Sequence, residues 1–420
     1  MADHEPEPDH ALLSRYRRGH DDAATQLYLK YARRLRGLAV KKTGEDLKSR
    51  TDPDDIVQRA IRQAGSDRFG GDSYREPLER YVESLEREAA LSTFGRLILR
   101  GMLVNQLVTR IALLAWTEAN PEATKEEIRR PWVILGLPRT GTSILSILLG
   151  LDPMARPIRQ WEARTPVPPA TQATAALDPR IAESEKQFEQ LHRLNPPFKA
   201  MHPTGAMLAE ECVPFLMLDL RSLGLETQAR VPSYGRWLQT CDMRTAYQQH
   251  LRALQALQTG QPTESWVLKT PNHLWCLETL LEFYPDARLV WTHRDPGPVT
   301  ASVSSLNTTL QSTFTDRSDP RAVGAEWLDK LKFAIDRGMA FDATAKPGWC
   351  VHIHYDELMR EPLAAMRRLY GHFGEAPDGQ HPNPPGLLGL VHQRHSRRAP
   401  PRKAADSRLH PAVPLAQELA

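Results

Sequence analysis

The fold of this chain is decided by the stretch WVILGLPRTGTSILSILLGL, residues 132–151. Its first four apolar residues predict a buried strand, and the apolar run after Gly141 predicts a helix. A strand that enters a helix through a glycine-containing turn leaves several N–H groups directed at one place, where the helix dipole adds positive potential. Arg139 adds a permanent charge to that turn. We therefore predict an anion site here.

The spacing of residues 136–143 fits the nucleotide P-loop pattern G-x-x-x-x-G-K-[ST], except that Thr142 stands at the lysine position. An ordinary NTPase needs that lysine on the terminal phosphates, together with Mg²⁺ held by an acidic residue. Here the positive charge lies within the loop, at Arg139. The difference favours group transfer from a nucleotide donor over a P-loop kinase. A plain strand–turn–helix with glycines for close packing is the structural alternative.

The composition of the 420-residue chain excludes several classes of protein. Its 54 Lys and Arg nearly balance its 51 Asp and Glu, so the net charge of +3 does not indicate a nucleic-acid partner. The four cysteines form no C-x-x-C pair, which argues against a disulfide framework or zinc site and suits a reducing cytosol. The first ten residues lack the apolar core of a signal peptide. Polar residues interrupt the apolar segment 97–116, which predicts an amphipathic helix and not a membrane span. We expect a cytoplasmic protein.

Periodicity and composition divide the chain into five segments. We predict disorder in the acidic residues 1–10, basic helices over 11–58, and a helical preface over 59–130. Residues 131–374 alternate strand and helix patterns, which predicts an α/β domain with a parallel sheet. Residues 375–420 are rich in Pro, Arg and His without periodicity, and we predict disorder there as well.

Positive residues follow three of the predicted strands. Lys269 lies directly after the predicted strand 266–268. Arg294 follows the predicted strand 287–291, and Arg139 follows the first strand. Because the carboxyl ends of parallel strands meet at one edge of the sheet, these three charges should converge. Such a cluster would be costly without a bound anion. Ser302 lies eight residues after Arg294, where the following helix can place its hydroxyl beside that arginine.

Other titratable residues give weaker indications. The proline-rich segment after the central helix predicts an extended loop at the same edge, which makes Trp161 and Glu162 candidates for an acceptor pocket. An aromatic anchor beside a surface glutamate explains the pair equally well. His202, Glu210 and Glu211 show no metal-binding or catalytic spacing, so we expect structural roles for them.

Together these motifs resemble those of bacterial sulfotransferases that use 3′-phosphoadenosine-5′-phosphosulfate (PAPS), over about residues 67–374. GLPRTGTS (136–143) resembles the family's 5′-phosphosulfate loop, and THRDPGPVTASVSSL (292–306) resembles its 3′-phosphate segment. LKTPNHL (268–274) resembles the segment that carries its catalytic lysine. The resemblance implies a P-loop-like central parallel sheet flanked by helices, preceded by an all-α segment.

The resemblance also implies a mechanism, in which a sulfuryl group passes in line from PAPS to a hydroxyl or amine of a small-molecule or glycan acceptor, without a metal. It assigns the 5′-phosphosulfate to Pro138, Arg139, Thr140, Gly141, Thr142 and Ser143. Arg294 and Ser302 would bind the 3′-phosphate, and Lys269 would neutralise the leaving oxygen. His273 is the first candidate for the general base because it follows Lys269 closely, as in related enzymes, and Glu162 is the second. A helix-capping role for His273 is the alternative.

The N-terminal residues support a second hypothesis. LLSRYRRGHDDAATQLYLKYARRLR (12–36) and DPDDIVQ (52–58) resemble the start of region 2 of extracytoplasmic-function sigma factors, which in that family binds RNA polymerase. The promoter-melting part and the helix-turn-helix region 4 have no counterpart here. A solvated basic helical hairpin is the structural alternative. The tail 375–420 departs from the sulfotransferase pattern of a closing basic segment. The second hypothesis is therefore a regulatory protein that binds nucleotide without turnover and contacts RNA polymerase.

Overall fold

The N-terminal layer of the described structure consists of three helices. The computed structural model describes residues 51–315 and 317–374, so the predicted segments 1–10 and 375–420, and most of 11–58, lie outside the described residues. The three helices are α1 (Pro53–Ala64), α2 (Arg75–Glu88) and α3 (Thr93–Ala119). Asp52 caps α1, and its buried residues pack against α3. The division predicted after residue 58 falls inside α1 and is not a boundary in the fold.

Helix α3 confirms the helix predicted over residues 97–116. Within the described chain it alone is long and apolar enough to cross a membrane by length and composition. Arg110 lies in its C-terminal half with a fully buried side chain, and donates hydrogen bonds to Asp219 (2.6 Å) and to the carbonyl of Phe69 (2.8 Å). The helix packs against α1 on one side and against α11 (Arg244–Gly260) on another. Its apolar face is therefore largely used inside the protein.

A five-stranded parallel sheet forms the centre of the domain, which confirms the predicted α/β class. Its strands are β1 (Trp132–Gly136), β2 (Ala155–Pro157), β3 (Ser265–Lys269), β4 (Arg288–His293) and β5 (Cys350–His354). They lie in the order β2-β3-β1-β4-β5, so the P-loop-like strand β1 is central. Ile134 pairs with Lys269 and Gly136 with Thr292, so the three central strands end at the same edge.

Helices cover both faces of this sheet. Besides α11 they are α4 (Thr142–Leu149), α5 (Gln160–Arg164), α6 (Pro179–Leu194), α7 (Pro196–Met201), α8 (Val213–Leu216), α9 (Leu223–Gln228), α10 (Pro232–Leu238), α12 (Leu277–Phe283), α13 (Pro296–Gln311), α14 (Pro320–Asp342), α15 (Tyr355–Arg360) and α16 (Pro362–His372). Val133 and Leu135 of β1 join the larger core with α3 and α11, while Trp132 and Ile134 join a smaller core with α4 and α16. This alternation is what a strand buried on both faces requires.

The segment after α4 differs from its prediction. We expected an extended loop there, yet residues 155–157 form the edge strand β2 and residues 160–164 form the short helix α5. Glu162 explains the helix locally, because its carboxylate accepts a hydrogen bond from the N–H of Arg159 (3.2 Å) and pairs with Arg156 (2.5 Å). The prolines bracket this turn of helix and do not prevent it.

Candidate active site

The loop between β1 and α4 approaches β4 very closely. Gly136 has φ +133°, and a Cβ added there would lie 2.4 Å from the hydroxyl oxygen of Thr292, so only glycine fits. The hydroxyl of Thr140 donates to the carbonyl of Leu137 (2.7 Å), and its oxygen lies 2.7 Å from the hydroxyl oxygen of Thr292. No side chain caps the N-terminus of α4. The loop is therefore held against the sheet, with the first N–H groups of α4 available to a ligand.

Two arginines meet beside this loop, and both contact neutral groups. Arg139 donates from Nε to the hydroxyl of Ser302 (3.1 Å) and from Nη1 to the carbonyl of Met201 (3.3 Å). Arg294 donates to the carbonyl of Arg139 (2.8 Å), and its guanidinium lies 4.1 Å from the centre of the Tyr355 ring. Burial lowers the pKa of Arg139, and the charge of Arg294 lowers it further. An anion bound between them would relieve this repulsion.

Lys269 joins the end of β3 to the same place. Its buried ammonium group donates to a carboxylate oxygen of Glu211 (2.7 Å) and to the hydroxyl of Ser143 in α4 (3.3 Å). The carbonyl of Lys269 accepts from the N–H of Cys212 (2.7 Å), which holds the segment before α8 against the strand. A cation, a carboxylate and the start of the central helix thus meet within hydrogen-bond distance.

A cleft of about 650 Å³ opens over these groups. Its wall at the sheet edge is formed by Pro138, Arg139, Gly141, Thr142, Ser143, Arg294 and Tyr355. Glu210, Glu211 and His202 line it beside Lys269. Most of the remaining lining side chains are apolar, with Lys199, Thr227 and Asn307 among them. Of the other predicted donor-site residues, Thr140 is buried behind the loop, and Ser302 touches the cleft through its hydrogen bond to Arg139. Lys269 lies beneath the wall, in contact with Ser143 and Glu211.

Burial changes the protonation of two cleft residues. Desolvation lowers the pKa of His202, so its imidazole is neutral at pH 7. The ring stacks on Phe198 with 5.8 Å between centres. Desolvation raises the pKa of Glu210. The neighbouring Glu211 has its carboxylate on Lys269 and about a quarter of its side chain exposed.

The structure does not bring His273 or Glu162 into the cleft. His273 lies fully buried in the 3₁₀ turn Pro271–Trp275, with Nδ1 2.6 Å from the hydroxyl of Tyr247, and desolvation holds its pKa well below 6.5. Glu162 is fully buried on α5 and pairs with Arg156. Neither position favours the role of general base that the sequence predicts for these residues, because a base must reach the acceptor's proton.

Several residues that line the cleft received no role in the site from sequence reasoning. Glu211 and His202 reach it through the chain path between α7 and α8, and their spacing gave no signal of this. Tyr355 did offer a signal, because it directly follows β5 at the carboxyl edge of the sheet. Within residues 51–315 and 317–374, no group of three or more His, Cys, Asp or Glu is placed to hold a metal ion.

Comparison with known proteins gives consistent matches. A family model described as "Sulfotransferase family" matches residues 131–378. The omega-hydroxy-beta-dihydromenaquinone-9 sulfotransferase Stf3 of Mycobacterium tuberculosis is 30% identical over 115 residues, which is 26% of this chain and only 28% of that protein's length. The crystal structure of sulfotransferase STF1 from M. tuberculosis H37Rv superposes with a TM-score of 0.74 at 30% identity, covering 82% of this chain and 93% of that one. Sulfotransferase STF9 from Mycobacterium avium gives 0.73 at 28% identity, covering 83% and 88%.

Proposed function

The chain belongs to the sulfotransferase family, and we propose that it moves a sulfuryl group from PAPS to a hydroxyl or amine of an acceptor. The observation that carries the proposal is the meeting of Arg139, Arg294 and Lys269 with the uncapped start of α4 at one edge of the sheet. A nucleotide that carries separate phosphate groups matches this distribution of positive charge.

The loop and α4 are proposed to hold the 5′-phosphosulfate. The N–H groups at the start of α4 and the guanidinium of Arg139 supply donors for its oxygens, and Ser143 lies beside Lys269 (3.3 Å). Support comes from the geometry of Gly136, which brings the loop against β4 and so sets the direction of those donors. A preorganised set of donors binds a developing negative charge without reorganising during the reaction.

Arg294 and Ser302 are proposed to bind the 3′-phosphate. Arg294 follows β4 and Ser302 lies on α13, and each contacts Arg139, which places both next to the loop. ATP has no phosphate on its 3′-hydroxyl. Its extra phosphates extend from the 5′ end, so a protein that uses Arg294 in this way binds the two nucleotides differently.

The proposed chemistry needs one cation and one base. The acceptor oxygen forms a bond to sulfur while the bond from sulfur to the oxygen of the 5′-phosphate breaks, and that oxygen keeps the electron pair. Lys269 neutralises the leaving oxygen, and the proton of the acceptor passes to a base. The products are a sulfate ester, or a sulfamate where the acceptor atom is an amine nitrogen, and 3′-phosphoadenosine-5′-phosphate (PAP). Positioning and electrostatic stabilisation supply most of the rate in such transfers.

We assign the base to Glu211. Its carboxylate lies in the cleft, in contact with the lysine that neutralises the leaving oxygen (2.7 Å). His273 and Glu162 lie outside the cleft with their own buried partners. A carboxylate in this position can accept a proton from a hydroxyl as the new bond forms.

Calorimetric titration with PAP and with ATP tests the donor assignment. We expect PAP to bind at least tenfold more tightly than ATP. The substitution Arg294→Ala should weaken PAP by about 10- to 100-fold, since a hydrogen bond to a charged group contributes about 1.5–3 kcal/mol. ATP binding should weaken by a smaller factor, because ATP has no 3′-phosphate and loses only the support that Arg294 gives to the loop. Arg337→Ala is the control, because Arg337 forms an exposed ion pair with Glu278 on the outside of α14. Equal affinity for both nucleotides, or an unchanged PAP affinity in Arg294→Ala, would overturn the proposal.

A further inference from the structure

We infer that the acceptor is an alcohol whose hydroxyl is carried on an apolar body, and that this body lies along helix α13 in the same cleft. The inference rests on the proposed function and narrows it from any hydroxyl or amine compound to one chemical class. It follows from the walls of the cleft beyond the donor site, where most of the lining side chains are apolar.

Helix α13 joins the two regions of the cleft. Ser302, Leu306 and Leu310 recur at every fourth residue, so they share one face of the helix. Ser302 contacts Arg139 at the donor end (3.1 Å). Leu306 and Leu310 continue this face along the cleft, and both are only partly buried. The helix face therefore changes from anion-binding to apolar within two turns.

The opposite walls are apolar as well. Phe198, Leu223 and Trp327 come from three other helices, α7, α9 and α14, and each lines the cleft with a side chain otherwise buried in the protein. Four separate helices thus contribute hydrocarbon to one space. Partly exposed leucines facing such a space gain free energy when an apolar ligand removes them from water.

A sugar acceptor fits these walls poorly. A hexose carries a hydroxyl on most of its carbons, and each hydroxyl that loses water without gaining a partner costs binding energy. Beyond the donor site the cleft offers three polar side chains, Lys199, Thr227 and Asn307, which are fewer than the hydroxyls of a hexose. Asn307 donates from Nδ2 to the carbonyl of Val303 (2.9 Å), and its Oδ1 has no hydrogen-bond partner and is free to accept from one ligand hydroxyl. An alkyl or ring hydrocarbon needs no such partners. The reactive hydroxyl alone must reach Glu211 and the sulfuryl group.

The cleft also places that hydroxyl correctly. Glu211 and Ser143 line it where the apolar region meets the loop, and Lys269 lies directly behind both. An alcohol held in this cleft therefore shares it with the proposed base and the transferred group. The volume of the cleft, about 650 Å³, is within the range of pockets that bury small organic ligands.

The test measures binding of product-class probes, so that it does not depend on turnover. Butyl, hexyl and octyl sulfate, all well below their micellar concentrations, and glucose 6-sulfate are titrated calorimetrically into the full chain, with and without saturating PAP. We expect affinity to rise up to about fourfold per added methylene. Hexyl sulfate should bind at least tenfold more tightly than glucose 6-sulfate, which has the same number of carbons.

Two variants locate the effect. Leu306→Asn and Leu310→Asn should each reduce the dependence on chain length and leave PAP affinity unchanged, and their melting temperatures confirm that they fold. Leu177→Asn is the control, because Leu177 is 87% exposed and does not line the cleft. It should alter neither property.

The outcomes separate the two proposals. A flat chain-length series, or glucose 6-sulfate binding as tightly as hexyl sulfate, overturns the apolar acceptor while PAP binding keeps the proposed function intact. Failure of PAP to bind overturns the proposed function. The alkyl series measured without PAP then still reports whether the cleft prefers hydrocarbon.

Discussion

Arg294 donates a hydrogen bond of 2.8 Å to the main-chain carbonyl of Arg139, across 155 positions of sequence. Arg139 has φ +69°, a left-handed conformation that is unfavourable for a residue with a side chain. The bond from Arg294 helps to hold the loop in that conformation. In the proposed function, the residue that binds the 3′-phosphate therefore also shapes the loop for the 5′-phosphosulfate, and the two halves of the donor site are not independent.

Removing the hydroxyl of Ser302 tests the coupling between the two halves of the proposed donor site. Ser302→Ala takes away the acceptor for Nε of Arg139 (3.1 Å) and a proposed donor to the 3′-phosphate. We expect PAP affinity to fall about 3- to 10-fold, which corresponds to one net hydrogen bond of about 0.5–1.5 kcal/mol. Calorimetric titration with PAP measures this change in affinity. Ser305→Ala, an exposed serine on the same helix, is the matched control and should bind PAP like the wild type. Identical affinities for the two variants would contradict the prediction.

The central part of the fold follows from the sequence because its signals are local. The apolar run 132–135, the turn with Gly136 and Gly141, and the strand–helix alternation around Lys269 and Arg294 predict β1, β3, β4 and their shared edge. The prediction required only that parallel strands end on the same side of a sheet. The observed register, with Ile134 opposite Lys269 and Gly136 opposite Thr292, confirms that edge.

The rest of the site depends on tertiary packing. Glu211 reaches Lys269 because the N–H of Cys212 bonds to the end of β3, and nothing in the spacing of those residues encodes that contact. His273 follows Lys269 closely in sequence, yet the 3₁₀ turn that begins at Pro271 carries it into the core beside Tyr247. Proximity along the chain was therefore a poor guide to proximity in the cleft. Glu162 was assigned to the cleft because the prolines indicated an extended loop at the sheet edge. It lies instead in helix α5, where its buried carboxylate pairs with Arg156.

Gly136 should tolerate no side chain. Gly136→Ala would place a Cβ 2.4 Å from the Thr292 hydroxyl oxygen and 2.8 Å from its carbonyl, at a φ of +133°. We expect the free energy of unfolding to fall by at least about 2 kcal/mol, from strain together with steric overlap. Gly101→Ala is the matched comparison, because Gly101 lies in α3 with nothing within 4 Å of an added Cβ. The free energy of unfolding of that variant should rise by up to about 1 kcal/mol, because alanine has a higher helix propensity than glycine. Denaturation by urea measures both, and equal effects would contradict the steric argument.

The contact between Lys269 and Glu211 (2.7 Å) should separate catalysis from nucleotide binding. Lys269→Met removes the cation proposed for the leaving oxygen, and we expect kcat to fall about 10²- to 10³-fold with an octanol acceptor. Glu211→Gln removes the proposed base and should lower kcat by about 10²- to 10⁴-fold. PAP affinity should change much less in either variant.

The double variant Lys269→Met with Glu211→Gln is the check on this pair. Its kcat should fall by less than the product of the two single effects, because both residues act on one transfer step. Glu211→Asp serves as the conservative control and should retain more activity than Glu211→Gln. Wild-type kcat in Glu211→Gln would remove Glu211 from the mechanism, and wild-type kcat in Lys269→Met would remove Lys269.

Stability should fall as the pH drops below neutral, because two fully buried histidines are held uncharged. Burial lowers the pKa of His250 to about 3 and that of His273 well below 6.5. The unfolded chain has an ordinary histidine pKa of about 6.5, so below that pH it binds protons that the folded chain does not. The contribution of the neutral histidines to stability is therefore complete above pH 6.5 and is lost as the pH falls below it. Between pH 7.5 and 5.5 we expect His250 to cost roughly 1.4 kcal/mol of unfolding free energy, and His273 to act in the same direction. In His250→Gln this pH-dependent loss should be smaller by roughly that 1.4 kcal/mol, as measured by urea denaturation at the two pH values. His372→Gln, at an exposed histidine, should keep the full loss, and a loss that is the same in His250→Gln would show that His250 does not contribute to it.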